Sequence, residues 1–103
     1  MKLIVDERAK KFLDKLDKKS SSKVLVYIKI FESYGFNLPT NYLKKIKHEI
    51  WELRPGRLRI FLYIKADNAV AVHAIFKKTQ KISNQDWETI NQRISDRLRL
   101  ESK

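Results

Sequence analysis

Residues 2–5, Lys-Leu-Ile-Val, suit a short opening strand, and Asp6 is placed to cap the segment that follows. Ala9, Phe12, Leu13 and Leu16 then recur at helical spacing with lysines on the opposite side. Lys18 to Lys23 is a polar break, in which Ser20, Ser21 or Ser22 can cap a second helix by accepting its orphan amide bonds. That helix runs through Val24, Leu25, Ile28 and Phe31 and is predicted to end at Gly35, since glycine tolerates the left-handed backbone that closes helices. Asn37 to Thr40 reads as a loop, so the first half of the chain is a strand and a helical hairpin.

The period then switches to alternation. His48 to Arg54 is a strand candidate, broken by Pro55-Gly56. Arg57 to Lys65 places Leu58, Ile60, Leu62 and Ile64 on one face and Arg57, Arg59, Phe61, Tyr63 and Lys65 on the other. After a turn at Ala66 to Ala69, Val70 to Lys77 alternates again. Ser83 with Asp86 three residues on approximates a capping box, and Trp87, Ile90, Ile94 and Leu98 form the stripe of a last helix whose final residues fray. With no repeat or low-complexity stretch, residues 1–103 read as a single α+β domain. Two N-terminal helices and a C-terminal helix are expected to pack on one face of a small, mainly antiparallel sheet.

Parity constrains the hairpin. A two-residue turn at Asp67-Asn68 would set Leu62 opposite His73 and Leu58 opposite Lys77, mixing an apolar face with polar groups. An odd loop, or a bulge of equivalent parity, sets Tyr63 opposite His73 and Arg59 opposite Lys77. Burial favours the odd arrangement, which leaves Arg57, Arg59, Tyr63, His73 and Lys77 together on the uncovered face.

Charge sharpens this picture. The chain of 103 residues has a formal net charge of +11, which favours nucleic acid, an anionic membrane or an acidic protein. Seven basic residues (Arg54, Arg57, Arg59, Lys65, Lys77, Lys78, Lys81) fall between Ile50 and Lys81. Cysteine is absent and the two histidines, His48 and His73, lack a partner at ligand-like spacing, so neither a disulfide framework nor a metal site is expected. No apolar run approaches the roughly 20 residues of a membrane span, and the N-terminus meets Asp6 and Glu7 too soon for a signal peptide; the expected location is the cytoplasm.

Arg, Lys, Tyr and His without a carboxylate pair suit phosphate, since Arg grips its oxygens in a fork and Lys acts as a point charge. RNA carries its own nucleophile, the 2′-hydroxyl, so a nuclease need only align it, stabilise charge and move protons. Lys or His can exchange those protons, and an aromatic ring can stack on a splayed base. The bland alternatives are surface ion pairs for the arginines, a solvated strand end for Lys77 and Lys78, packing for Tyr63, and a satisfied half-buried imidazole for His73. Trp51 and Trp87 read as core or rim and the lysines of the first helix as a solvated face. Lys44, Lys45 and Lys47 form a further basic group suited to a secondary RNA or ribosome contact.

Several segments in order resemble a known family. Gly35-Phe36-Asn37-Leu38-Pro39 is similar to the helix-to-strand linker of HigB-like toxins, a phage-derived branch of the RelE/ParE superfamily. Trp51-Glu52-Leu53-Arg54, Arg59-Ile60-Phe61-Leu62-Tyr63 and the run from His73 to Lys81 resemble its successive strands, with Ala74 and Ile75 departing from the usual Gly and Phe. The resemblance implies a RelE-like toxin of a type II toxin–antitoxin system that cleaves translated mRNA in the ribosomal A site without metal or cofactor. It also implies a helix-turn-helix antitoxin as partner. By position it points to Arg54, Arg59, Lys77, Lys78 and Lys81 as the functional group, with His73 a weaker match. Taken with the reading of the residues themselves, Arg54, Arg59, Lys77, Lys78 and His73 are the catalytic candidates, and Arg57, Tyr63, Lys81, Lys44, Lys45 and Lys47 the RNA-binding ones. The free toxin is expected to be monomeric. Two other functions share these features: a gyrase-directed inhibitor of the ParE type, and a non-catalytic RNA-binding module.

Overall fold

The computed structural model describes residues 1–79 and 81–101, so Gln80 and the last two residues, where fraying was expected, lie outside it. The opening strand β1 (Lys2–Val5) leads through Asp6 into helix α1 (Glu7–Asp14). Asp6 caps α1 as expected, its Oδ1 accepting from the Arg8 backbone N–H at 2.9 Å. Helix α2 (Lys18–Tyr34) begins earlier than the serines indicated. Asp17, with extended backbone (φ −63°, ψ 162°), holds the cap position and the three serines lie inside the first turns.

Gly35 ends α2 at φ +53°, ψ −127°, a backbone region that L side chains rarely occupy. A Cβ there would meet nothing within 4 Å, so Gly35→Ala is expected to cost about 1–2 kcal/mol through backbone strain alone. Urea unfolding of the variant measures that cost directly; an unchanged midpoint would contradict it.

After a short 3₁₀ turn (Gly35–Asn37), four strands follow: β2 (Leu43–Lys47), β3 (Ile50–Leu53), β4 (Leu58–Lys65) and β5 (Asn68–Phe76), then α3 (Asn84–Glu101). Strand β2 was not anticipated, since its Leu-Lys-Lys-Ile-Lys carries too little apolar alternation, and only Leu43 in it is fully buried. The sheet order is β1-β5-β4-β3-β2. Every pair is antiparallel except β1 with β5. This is the expected α+β class, with three α-helices on a mainly antiparallel sheet.

The hairpin reaches the expected outcome in only half of its length. The turn is the tight one, Ala66-Asp67, and near it Tyr63 pairs with Val70 and Ile64 with Ala69. The register then shifts between Phe61 and Leu62, where Val72 is left over as a bulge, and beyond it Ile60 faces Ala74 and Leu58 faces Phe76. The bulge restores the predicted parity in the outer half. It also corrects two pairings: Arg59 lies opposite Ile75, not Lys77, and Tyr63 opposite Val70, not His73. A bulge exposes a carbonyl to other partners, and here the Val72 oxygen accepts from Arg93 Nη1 of α3 at 2.8 Å.

Both faces of the sheet are covered. On one, Ile60, Leu62 and Ile64 pack with Val24 and Phe31 of α2, and with Phe12 and Leu13 of α1. On the other, Phe61, Val70, Val72 and Ile50 pack with Ile90, Trp87 and Ile94 of α3. The C-terminal helix therefore lies across the sheet from the N-terminal pair rather than beside it, and Phe61 on the supposedly open face is wholly buried.

Charged groups tie α3 to the start of α1. Arg8 Nη1 binds Asp96 Oδ2 at 2.7 Å and its Nη2 binds buried Asp6 at 2.9 Å. Hydrogen bonds from Arg8, Gln92 and Arg99 push the Asp96 carboxyl down to about 2, and Arg8 above all lowers that of Asp6. A carboxyl depressed in the folded state contributes its stability above the unfolded value of about 4 and loses it as pH falls toward about 2. The urea midpoint is therefore expected to fall across that window, and less so in Asp96→Asn. Parallel pH profiles for the two proteins would remove the clamp from this role.

Candidate nucleic-acid interface

The cluster is built at the end of the sheet where β3 leaves, β4 enters and β5 finishes. Alternation along β3 puts Glu52 and Arg54 on the α3 side, and Glu52 pairs with Phe61 of β4. Pro55 turns the chain, with Leu58 N–H donating to its carbonyl at 3.0 Å, and Arg59 returns beside the same carboxylate. Lys77 continues β5 on that side, its N–H donating to Arg57 O at 2.8 Å.

Glu52, which the sequence reading did not single out, is the centre of this arrangement. Its side chain is 9% exposed, and Oε1 lies 3.0 Å from Arg54 Nε and 3.6 Å from Arg59 Nε. One buried carboxylate thus orients two guanidiniums. Arg59 is held further by its Nη1, which donates to the carbonyls of Gly56 and Leu58, each at 2.7 Å. Burial, followed by the Arg54 charge, lowers the pKa of Arg59, with Glu52 acting in the opposite direction. Arginine remains charged regardless, so this guanidinium is a poorly solvated cation under-compensated by a shared anion. Such a group gains from an incoming phosphate, because the desolvation cost has already been met in folding.

Gly56, Arg57, Arg59, Lys77, Lys78 and Thr79 line an open groove. A second hollow is lined by Lys44, Glu52, Lys81 and Trp87 among others, and its Glu52 reaches Arg59 of the first. The structure therefore brings together Arg54, Arg57, Arg59, Lys77 and Lys78, with Lys44 and Lys81 beside them.

His73 is nearby but engaged. Its Nε2 lies 2.8 Å from Asp86 Oδ1, and its ring stacks on Phe61 at 6.0 Å between centroids. Asp86 in turn is fixed by Ser83 Oγ at 2.8 Å, and Ser83 Oγ accepts from the Asp86 N–H at 3.0 Å, the capping interaction expected from the sequence. Burial raises the Asp86 carboxyl, but bonds from His73 and Ser83 outweigh it and leave the group lowered. This carboxylate is a fixed anion under the imidazole.

Tyr63 sits away from the cluster, towards the turn of the β4–β5 hairpin, packed with the α3 core. Burial first, then Glu49, raises the pKa of its phenol, which disfavours the phenolate. The lysines of β2 are divided by the sheet: Lys44 pairs with Glu52 and Lys45 with Trp51, while Lys47 Nζ lies 4.2 Å from the centre of the Trp87 ring. Among the described residues no group of three or more His, Cys, Asp or Glu could hold a metal ion, and no helix is long and apolar enough to cross a membrane.

A comparison with curated proteins finds no match. A family model, Phage derived protein Gp49-like (DUF891), matches residues 11–95, a span from α1 well into α3 that includes every residue of the cluster. On that match the chain belongs to the Gp49-like family of phage-derived proteins, a RelE-like, toxin-like family.

Proposed function

We propose that this protein is the toxin of a type II toxin–antitoxin pair and cuts translated mRNA on the ribosome. The observation that carries this reading is the Arg54–Glu52–Arg59 triplet, two guanidiniums on one buried carboxylate, of which Arg59 lines a groove together with Lys77 and Lys78. In the reaction the 2′-oxygen bonds to phosphorus, the bond from phosphorus to the 5′-oxygen breaks, and a 2′,3′-cyclic phosphate and a 5′-hydroxyl result. Arg59 and Arg54 stabilise the charge that builds on the equatorial oxygens. Lys77 and Lys78 move the protons, from the 2′-hydroxyl and to the leaving oxygen. Glu52 is a positioning residue that fixes both arginines. His73, held by Asp86, supports the β5 side of the site and is assigned the same kind of role. Arg57, Lys44 and Lys81 hold neighbouring phosphates. The partner that restrains the toxin is a helix-turn-helix antitoxin.

The test is translation reconstituted from purified components, with mRNA 5′ ends mapped by primer extension, with and without ribosomes. Cuts that need both protein and ribosomes are expected. Intact mRNA in every reaction would remove the nuclease reading and leave the cluster as a docking surface for gyrase or RNA.

A further inference from the structure

Across the sheet from the arginine cluster lies a second surface that the proposed chemistry does not use. Cross-strand pairing of Lys45 with Trp51 places both on the α2 side of the β2–β3 edge. Lys45 Nζ stands 5.8 Å from the centre of the Trp51 ring. The 3₁₀ turn after α2 brings Phe36 onto the same indole, with ring centroids 4.8 Å apart and planes inclined at 47°. Phe36 is 50% exposed, and Tyr34, at the end of α2, is 62% exposed.

Exposed aromatic rings beside a cation are costly to leave in water and have a specific complement. A nucleobase offers a flat face to the ring while its phosphate meets the ammonium, and such stacking tolerates any base. The strand that supplies Lys45 also directs Lys44 and Lys47 towards the other face, so phosphates that follow the sheet edge meet cations on both sides. The cation favours RNA over an apolar protein helix, which would set hydrophobic groups against the Lys45 ammonium and leave the cations along the β2 edge without a counter-charge.

We infer that Phe36, Trp51 and Lys45 form a stacking platform for unpaired bases of an RNA, separate from the cleavage site on the opposite face. The inference rests on RNA being this chain's partner, but not on cleavage.

The test uses the full chain carrying Trp87→Phe, so that Trp51 is its one tryptophan, and Arg59→Ala to prevent cutting. A single-stranded RNA of twelve nucleotides, the same sequence as a duplex, and poly-glutamate of equal charge are each titrated against Trp51 fluorescence. Quenching by the single strand is expected, weaker with the duplex and absent with poly-glutamate. Phe36→Ala and Lys45→Ala should each raise the dissociation constant by about tenfold; both side chains are exposed enough to remove without unfolding the chain. Absent quenching, equal quenching by poly-glutamate, or affinity unchanged in both variants would overturn the platform. Failure of the nuclease reading is distinct: it leaves mRNA intact in the translation reaction while quenching by the single strand persists.

Discussion

In the proposed reaction, Arg59→Ala is expected to lower the single-turnover rate of mRNA cleavage on the ribosome by about 100- to 1,000-fold, the cost of removing one pre-oriented donor from a developing oxyanion. The loss should appear in the rate at saturating protein more than in the concentration needed to saturate, because the interaction strengthens as charge builds on phosphorus. Arg59→Lys should recover little. An ammonium cannot reach the Glu52 carboxylate, bond both turn carbonyls and present a fork to phosphate at once. Glu52→Gln keeps the shape but weakens the grip on both guanidiniums, so it should slow cleavage less than Arg59→Ala does. Urea midpoints of the variants check that the fold survives. Cleavage by Arg59→Ala within about threefold of wild type would remove Arg59 from the chemistry.

The largest expected effect on stability comes from Phe61. Its ring is fully buried, packs with Val72 and Ile90 beneath α3, and stacks on His73. Phe61→Ala is expected to cost about 3–5 kcal/mol from lost transfer energy and the cavity that remains. Against a total stability of about 5–15 kcal/mol, this brings the variant close to unfolding at ambient temperature. Phe61→Leu, which fills part of the space, should cost less. Urea denaturation with unchanged slope and a lowered midpoint would show the effect. A cost under about 1 kcal/mol for the alanine variant would mean that α3 does not seal this face.

The difference between what the chain announces and what it conceals follows the range of the interactions. The Asp6 cap, the Ser83–Asp86 cap and the Gly35 stop depend on residues within a turn of one another, and all three are legible. The missed strand β2 is an edge element whose Lys44, Lys45 and Lys47 obscure its alternation. The Val72 bulge depends on what α3 brings to it, namely Arg93, and no local pattern encodes that. The stripe of α3 shows that it buries a face but not against which side of the sheet. Phe61 and Tyr63 among the arginines were the available sign that the basic face is also partly a core. The candidate site was readable as a set of cations, since alternation groups Arg57 with Arg59. Glu52 was visible only as one more charge, because its importance lies in burial between residues of β3 and β4.

The parallel pairing of β1 with β5, in which Lys2 meets Asn68 and Val5 meets Ala71, governs when this protein becomes itself during synthesis. Strand β1 has no neighbour in the sheet until β5, the last strand, has been made, and such distant pairings form slowly. Until then α1 and α2 have only part of the sheet to cover. The arginines of β3 and β4 likewise wait for Lys77 to complete their groove. A nascent or truncated chain that stops before β5 therefore lacks both the fold and the cation cluster. Under the proposed function, such a copy would be unable to cut the message it is made from, and activity would wait for β5 to take its place beside β1 and β4.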